Sequence, residues 1–184
     1  MSLKEITKEI HTAAERTPFM NSVIKGKIPK DIWADYTYQK SIIYSSIESV
    51  ARDAGLTTHC LDIERALKLY QDTKEMCGGN FPRLRPITIE YSRYLLDLAG
   101  DKDKILAHLY VWHMGDLHGG QMIKKILNYV PHRNLEFADV EGTKVTIRNM
   151  LNDSMGDEAI EAFKWAIKLM DTYAPELPAN DRSV

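Results

Sequence analysis

Between Tyr110 and Gln121 the chain reads Tyr-Val-Trp-His-Met-Gly-Asp-Leu-His-Gly-Gly-Gln, with glycines at 115, 119 and 120. Apolar residues recur at helical steps on both sides: Ile105, Leu109 and Trp112 before, Met122, Ile123, Ile126 and Leu127 after. A glycine inside a helix costs about 1 kcal/mol relative to alanine, so three so close together need a physical reason. Either the helix bends there, or its backbone must approach something flat and bulky with no Cβ in the way. Gly115 and Gly119 share a face, and Asp116 between them sets one carboxylate beside that bare backbone. Such a strip suits a bound cofactor. It also suits a glycine-mediated helix crossing with Asp116 as a cap, and spacing alone leaves both readings open.

A second group of chemically capable residues lies near the start of the chain. His11 sits beside an apolar stripe of Leu3, Ile6, Ile10 and Ala13 or Ala14, and Glu15 follows one turn later. A carboxylate at that spacing can fix the ring and tautomer of a ligating histidine. Lys4 and Lys8 lie near the same face, and Lys144 and Arg148 form a second basic pair at helical spacing. The two pairs are compatible with one acidic edge of a ligand, although each residue taken singly reads first as a solvated surface charge.

These residues must be positioned by helices. Ser2 and Glu5 form a capping box for a helix over Leu3 to Arg16. Further helices are expected over Phe19 to Lys25, from Pro29-Lys-Asp31 to about Ala54, over Leu61 to Met76 and from about Thr88 to Ala99. The glycine-interrupted segment comes next, followed by Thr143 to Asn152 and Asp157 to Tyr173. Ile32, Trp33, Tyr36, Ile43, Tyr44, Ile47 and Val50 give the long third helix its inward face. No strand alternation and no internal repeat is visible. The expectation is an all-α, single-domain bundle over residues 1–174, with a frayed tail over 175–184.

Composition narrows the function classes. A chain of 184 residues, 44% hydrophobic and 27% charged, is an ordinary globular domain. A formal charge of −2 argues for neither nucleic acid nor an anionic membrane as partner. No apolar run nears the ~18 residues of a bilayer span. Lys4, Glu5, Lys8 and Glu9 break any signal-peptide pattern at the start. Cys60 and Cys77 are too few for a disulfide framework, which points to a reducing cytoplasm. Bundle di-iron sites use Glu-x-x-His pairs, but Lys8, Leu56, Ile105, Tyr110, Gly115 and Tyr129 stand three residues before the six histidines.

The two groups together resemble the heme oxygenase family, from residue 3 to about residue 173. Leu3-Lys-Glu-Ile-Thr-Lys-Glu-Ile-His-Thr-Ala-Ala-Glu15 is similar to its proximal helix. Ala107-His-Leu-Tyr110 followed by Gly115-Asp-Leu-His-Gly-Gly-Gln121 is similar to its distal helix. The resemblance implies that heme b is both cofactor and substrate, held by its iron on His11 with Glu15 orienting the ring. Tyr110, Gly115 and Gly119 would face the porphyrin, and Phe163 would line the pocket. Lys4, Lys8, Lys144 and Arg148 would meet the propionates, and Tyr44 and Asp116 would order distal water. The implied reaction opens the ring to biliverdin, carbon monoxide and ferrous iron. It uses dioxygen and an external donor such as reduced ferredoxin, since the chain carries no flavin or iron–sulfur motif. Trp112 stands where many relatives carry arginine, His118 where serine is usual, and Met170 where an aromatic is common. His118 is expected to face solvent or bond water. A heme carrier or sensor is the alternative reading. A thiamin-type hydrolase would need Cys60 or Cys77 in the pocket.

Overall fold

Ser2 and Glu5 close the chain start as a reciprocal cap: Glu5 N–H faces the Ser2 hydroxyl, and Ser2 N–H donates to the Glu5 carboxylate at 2.7 Å. The computed structural model describes residues 2–57 and 61–178. Every regular element among them is helical, as expected. The expected first helix divides into α1 (Leu3–Ile6) and α2 (Lys8–Glu15). At the division the Thr7 hydroxyl donates back to Leu3 O at 2.9 Å, a local bond that competes with helix continuity. Then come α3 (Pro18–Ile24), with Thr17 as N-cap and proline at its first position, and α4 (Lys30–Asp53).

Leu61 to Met76 does not form one helix. A 3-10 turn covers Leu61–Ile63, and α5 begins only at Ala66 and runs to Met76. The cause is a pair of side chains. Glu48 of α4 accepts the backbone N–H groups of Arg65 and Ala66 and so caps α5 from outside. Fully buried Arg65 turns back onto Asp62 and donates to Glu136 O at 2.8 Å. Next follow α6 (Pro86–Asp97), α7 (Lys102–Gly115), a π-helical turn over Asp116–Gly120, and α8 (Gln121–Ile126). The chain ends with α9 (Val140–Met150) and α10 (Gly156–Asp171).

The 24-residue α4 is the central post, packing chiefly on α5, α6 and α7. Ile43, Tyr44, Ile47 and Val50 meet Leu69, Tyr91, Leu95, Ile105 and Leu109 in the main core. Leu3, Leu106, Val111, Met155 and Phe163 make a smaller cluster where α1 and α10 clasp α7. Each buried residue of this kind stabilises by about 1.5–3 kcal/mol, which fixes α1 and α10 against α7. The expected tail begins too early. Leu177 is fully buried, and Arg85 stacks on Tyr173 and bonds Glu176 at 2.8 Å, so packing runs on through Leu177. No described helix is long and apolar enough to cross a membrane.

Candidate functional site

A cavity of about 1140 Å³ separates α2 from the end of α7 and its π turn. His11 and Glu15 line one wall, Gly115, Asp116, His118 and Gly119 the opposite one. Tyr110, Trp112, Phe163 and Met170 supply apolar surface between them. Lys4, Lys8 and Arg148, all exposed, stand at the cavity's solvent edge.

The glycines divide by role. A Cβ built on Gly115 or Gly119 meets nothing within 4 Å, although both residues line the cavity. Their bare backbone therefore makes no helix crossing; it fronts the cavity. Gly120 is the packing glycine, since a Cβ there would lie 2.7 Å from Leu135 Cδ2. The π turn widens the helix just where these three residues lie, a distortion that recurs at functional sites.

His11 is half exposed, and its ring meets Phe163 edge-on with centroids 5.5 Å apart. Nδ1 lies 3.7 Å from Glu15 Oε1, within ion-pair reach but beyond a hydrogen bond. This orientation leaves Nε2 as the ring nitrogen that could hold a metal. Opposite, Asp116 is buried and held on both oxygens. Lys40 pairs with Oδ1. The Tyr44 hydroxyl donates to Oδ2 at 2.7 Å and the Asn134 amide at 3.3 Å. Burial first, and then the Asp116 charge, push the Tyr44 phenol well above its ordinary range, so it keeps its proton and stays a donor.

The structure thus brings together His11, Glu15, Lys4, Lys8, Tyr110, Gly115, Asp116, Gly119, Arg148 and Phe163. Two expected residues take other places. Tyr44 is fully buried behind Asp116 and reaches the cavity only through that carboxylate. Lys144 does not line the cavity, because Glu141 one turn back takes its ammonium at 2.7 Å. His118 is exposed, as expected. Its Nδ1–H donates to Met114 O at 2.9 Å and its Nε2 faces Arg148 Nη2 at 3.3 Å. Trp112 donates its indole N–H to Tyr91 at 2.9 Å. Cys77 ends α5 and lies away from the cavity, and Cys60 falls outside the described residues. The His/Cys/Asp/Glu groups among the described residues form no metal cluster of three.

Lys40 and Asn134 are site residues that the sequence reading passed over. Lys40 had a signal: Tyr36, Lys40 and Tyr44 recur at four-residue steps on one face of α4. Asn134 sits in a short 3-10 turn of the link after α8 and carries no periodic signal.

A cavity with His11 on one side and Cβ-free helix backbone on the other fits a flat macrocycle, and comparison with known proteins agrees. The family model described as heme oxygenase matches residues 1–155. The chain belongs to the heme oxygenase family. It is 32% identical to heme oxygenase 1 of Gallus gallus over 134 residues, 67% of this chain and 45% of that protein. It is 26% identical to heme oxygenase 1 of a Synechocystis strain over 196 residues, 92% of this chain and 82% of that protein. The chain therefore spans about half the length of its vertebrate relatives and most of the cyanobacterial one. Among solved structures, the heme oxygenase of Leptospira interrogans superposes with a TM-score of 0.82 at 25% identity, covering 94% of this chain and 100% of that one. Synechocystis heme oxygenase-1, solved in complex with heme, superposes at 0.83 with 24% identity, covering 95% and 91%. The heme oxygenase fold holds across nearly the whole chain.

Proposed function

We propose that the protein is a heme oxygenase, opening the porphyrin of heme to biliverdin, carbon monoxide and ferrous iron. The observation that carries this reading is one cavity walled by His11 on one side and by Gly115, Gly119 and a fully constrained Asp116 on the other. In this reading His11 Nε2 holds the iron while Glu15 steadies the ring from Nδ1. Gly115 and Gly119 let the distal backbone lie against the macrocycle, and Tyr110, Trp112, Phe163 and Met170 exclude water from its faces. Lys4, Lys8 and Arg148 meet the carboxylates at the open edge, each as an exposed and individually modest contact. When bound, heme supplies the redox centre that activates dioxygen and is itself consumed.

The chain's own contribution to the chemistry is proton handling at Asp116. Its oxygens are fixed by Lys40, Tyr44 and Asn134, so it can order water and pass a proton without swinging into the cavity. Electrons come from an external one-electron donor. A small acidic protein such as reduced ferredoxin fits the basic edge, and a cytoplasmic setting fits the free thiol of Cys77.

Hemin titration followed by reductant in air tests the reading. An oxygenase first gains and then loses the Soret band as bilin absorbance appears, whereas a carrier or sensor keeps it. His11→Ala should still take up some heme through the cavity edges but lack the iron–histidine stretch in the ferrous resonance Raman spectrum. A stretch that survives the substitution rules out His11 as ligand.

A further inference from the structure

The charge beside Asp116 comes from an unexpected helix. Position 112 of α7, where the family resemblance places arginine, is a tryptophan whose indole N–H is committed to Tyr91. His113, next to it, is buried with its Nε2–H on Ile63 O at 2.6 Å, and burial lowers its pKa to about 4. From the link after α8, His132 donates to Leu127 O, and burial lowers its pKa. Asp72 of α5 is taken by Arg133, and Tyr36 and Tyr44 of α4 are both pushed up and keep their protons. Apart from exposed Arg148, which faces His118, the charged side chains at this wall among the described residues are Asp116 and Lys40, which are 7% and 12% exposed and in direct contact. Lys40 itself lines the cavity.

We propose that Lys40 of α4 is a positioning residue for Asp116: its ammonium fixes the carboxylate's rotamer through Oδ1 and cancels the negative charge that Asp116 would otherwise present to a bound heme. Removing one member of such a pair leaves an uncompensated charge in a poorly solvated place. Anything anionic that binds on this side of the cavity then meets Asp116 unshielded. The role rests on the heme oxygenase reading, and the pair itself can be tested without heme.

The ferric heme complexes of the wild type, Lys40→Met, Lys40→Arg and Asp116→Ala are titrated with azide and, separately, with base, and followed by absorbance. Azide and hydroxide each bring a negative charge to the open side of the iron. Lys40→Met should weaken azide on the order of tenfold and raise the acid–alkaline midpoint by about one pH unit, the scale of one unit charge at a half-buried site. Asp116→Ala should shift both in the opposite direction, and Lys40→Arg should stay near the wild type. A lysine that merely packs would not produce opposite signs. In the apoprotein, urea unfolding of Lys40→Met, Asp116→Ala and the double variant should show non-additive stabilities. Should Lys40→Met fail to fold, Lys40→Gln carries the same measurements. Unchanged azide affinity and midpoint on loss of Lys40, or strict additivity in the apoprotein, overturns the proposal. A wild type that binds no heme while the apoprotein coupling persists overturns the functional reading instead, and Lys40's role with it.

Discussion

Asp116 meets three partners on two oxygens, and that arrangement separates binding from chemistry. The carboxylate faces the cavity wall without closing it, so heme affinity should depend on it little. General-acid steps contribute about 10²–10⁴-fold to rate. Asp116→Ala should therefore bind heme with near-normal affinity yet form biliverdin slower by a factor in that range. Asn at the same position keeps the hydrogen bonds from Tyr44 and Asn134 but cannot exchange a proton as readily, so it should stay slow. Single-turnover absorbance after adding reductant in air to the ferric complex reads this directly. Wild-type rates in Asp116→Ala would transfer the role to another group on the wall.

The π turn over Asp116–Gly120 makes opposite demands on neighbouring glycines. Gly115 and Gly119 have open space where a Cβ would go, and helical backbone prefers alanine to glycine by about 1 kcal/mol. Alanine at either site should leave the apoprotein as stable as the wild type or slightly more so, while a methyl on the macrocycle's face weakens heme binding. Gly120→Ala should do the reverse: it drives a Cβ into Leu135, and overpacking of this kind costs about 1–3 kcal/mol. Denaturation midpoints and hemin titrations of the three variants test the contrast. Equal losses of stability at 115, 119 and 120 would mean the strip serves packing alone.

Across the whole molecule, His113 ties α7 to the turn before α5 through Ile63 O at 2.6 Å. Burial lowers its pKa from the ordinary 6.5 to about 4, with the bonds to Ile63 and Leu109 pulling weakly the other way. The unfolded chain thus takes up a proton that the folded one refuses. This contribution is full above pH 6.5 and is lost as pH falls toward 4, by roughly 3 kcal/mol at its limit. Urea midpoints of the apoprotein should fall across that window, and His113→Gln should flatten the slope. A wild-type midpoint that stays level from pH 7 to pH 4.5 would show that His113 is not buried neutral.

Helix periodicity, the Ser2–Glu5 cap, the Thr17-Pro18 start and the glycine triplet are local facts, because they depend on neighbours within one or two turns. They were legible in the sequence, as were His11, Asp116 and the cavity-facing glycines. Pairing across long separations was not. Nothing near residue 40 reveals that its ammonium meets residue 116, nothing near Glu48 that it caps α5, and nothing near Lys144 that Glu141 rather than the cavity claims it. The same applies to Tyr44: expected to order distal water together with Asp116, it is fully buried on α4 behind the carboxylate it supports. Periodicity assigns each side chain to a helix face and stops there. Which faces meet is decided by how α2, α4, α7 and α10 pack, since desolvation and charge pairing act between residues that packing alone makes neighbours.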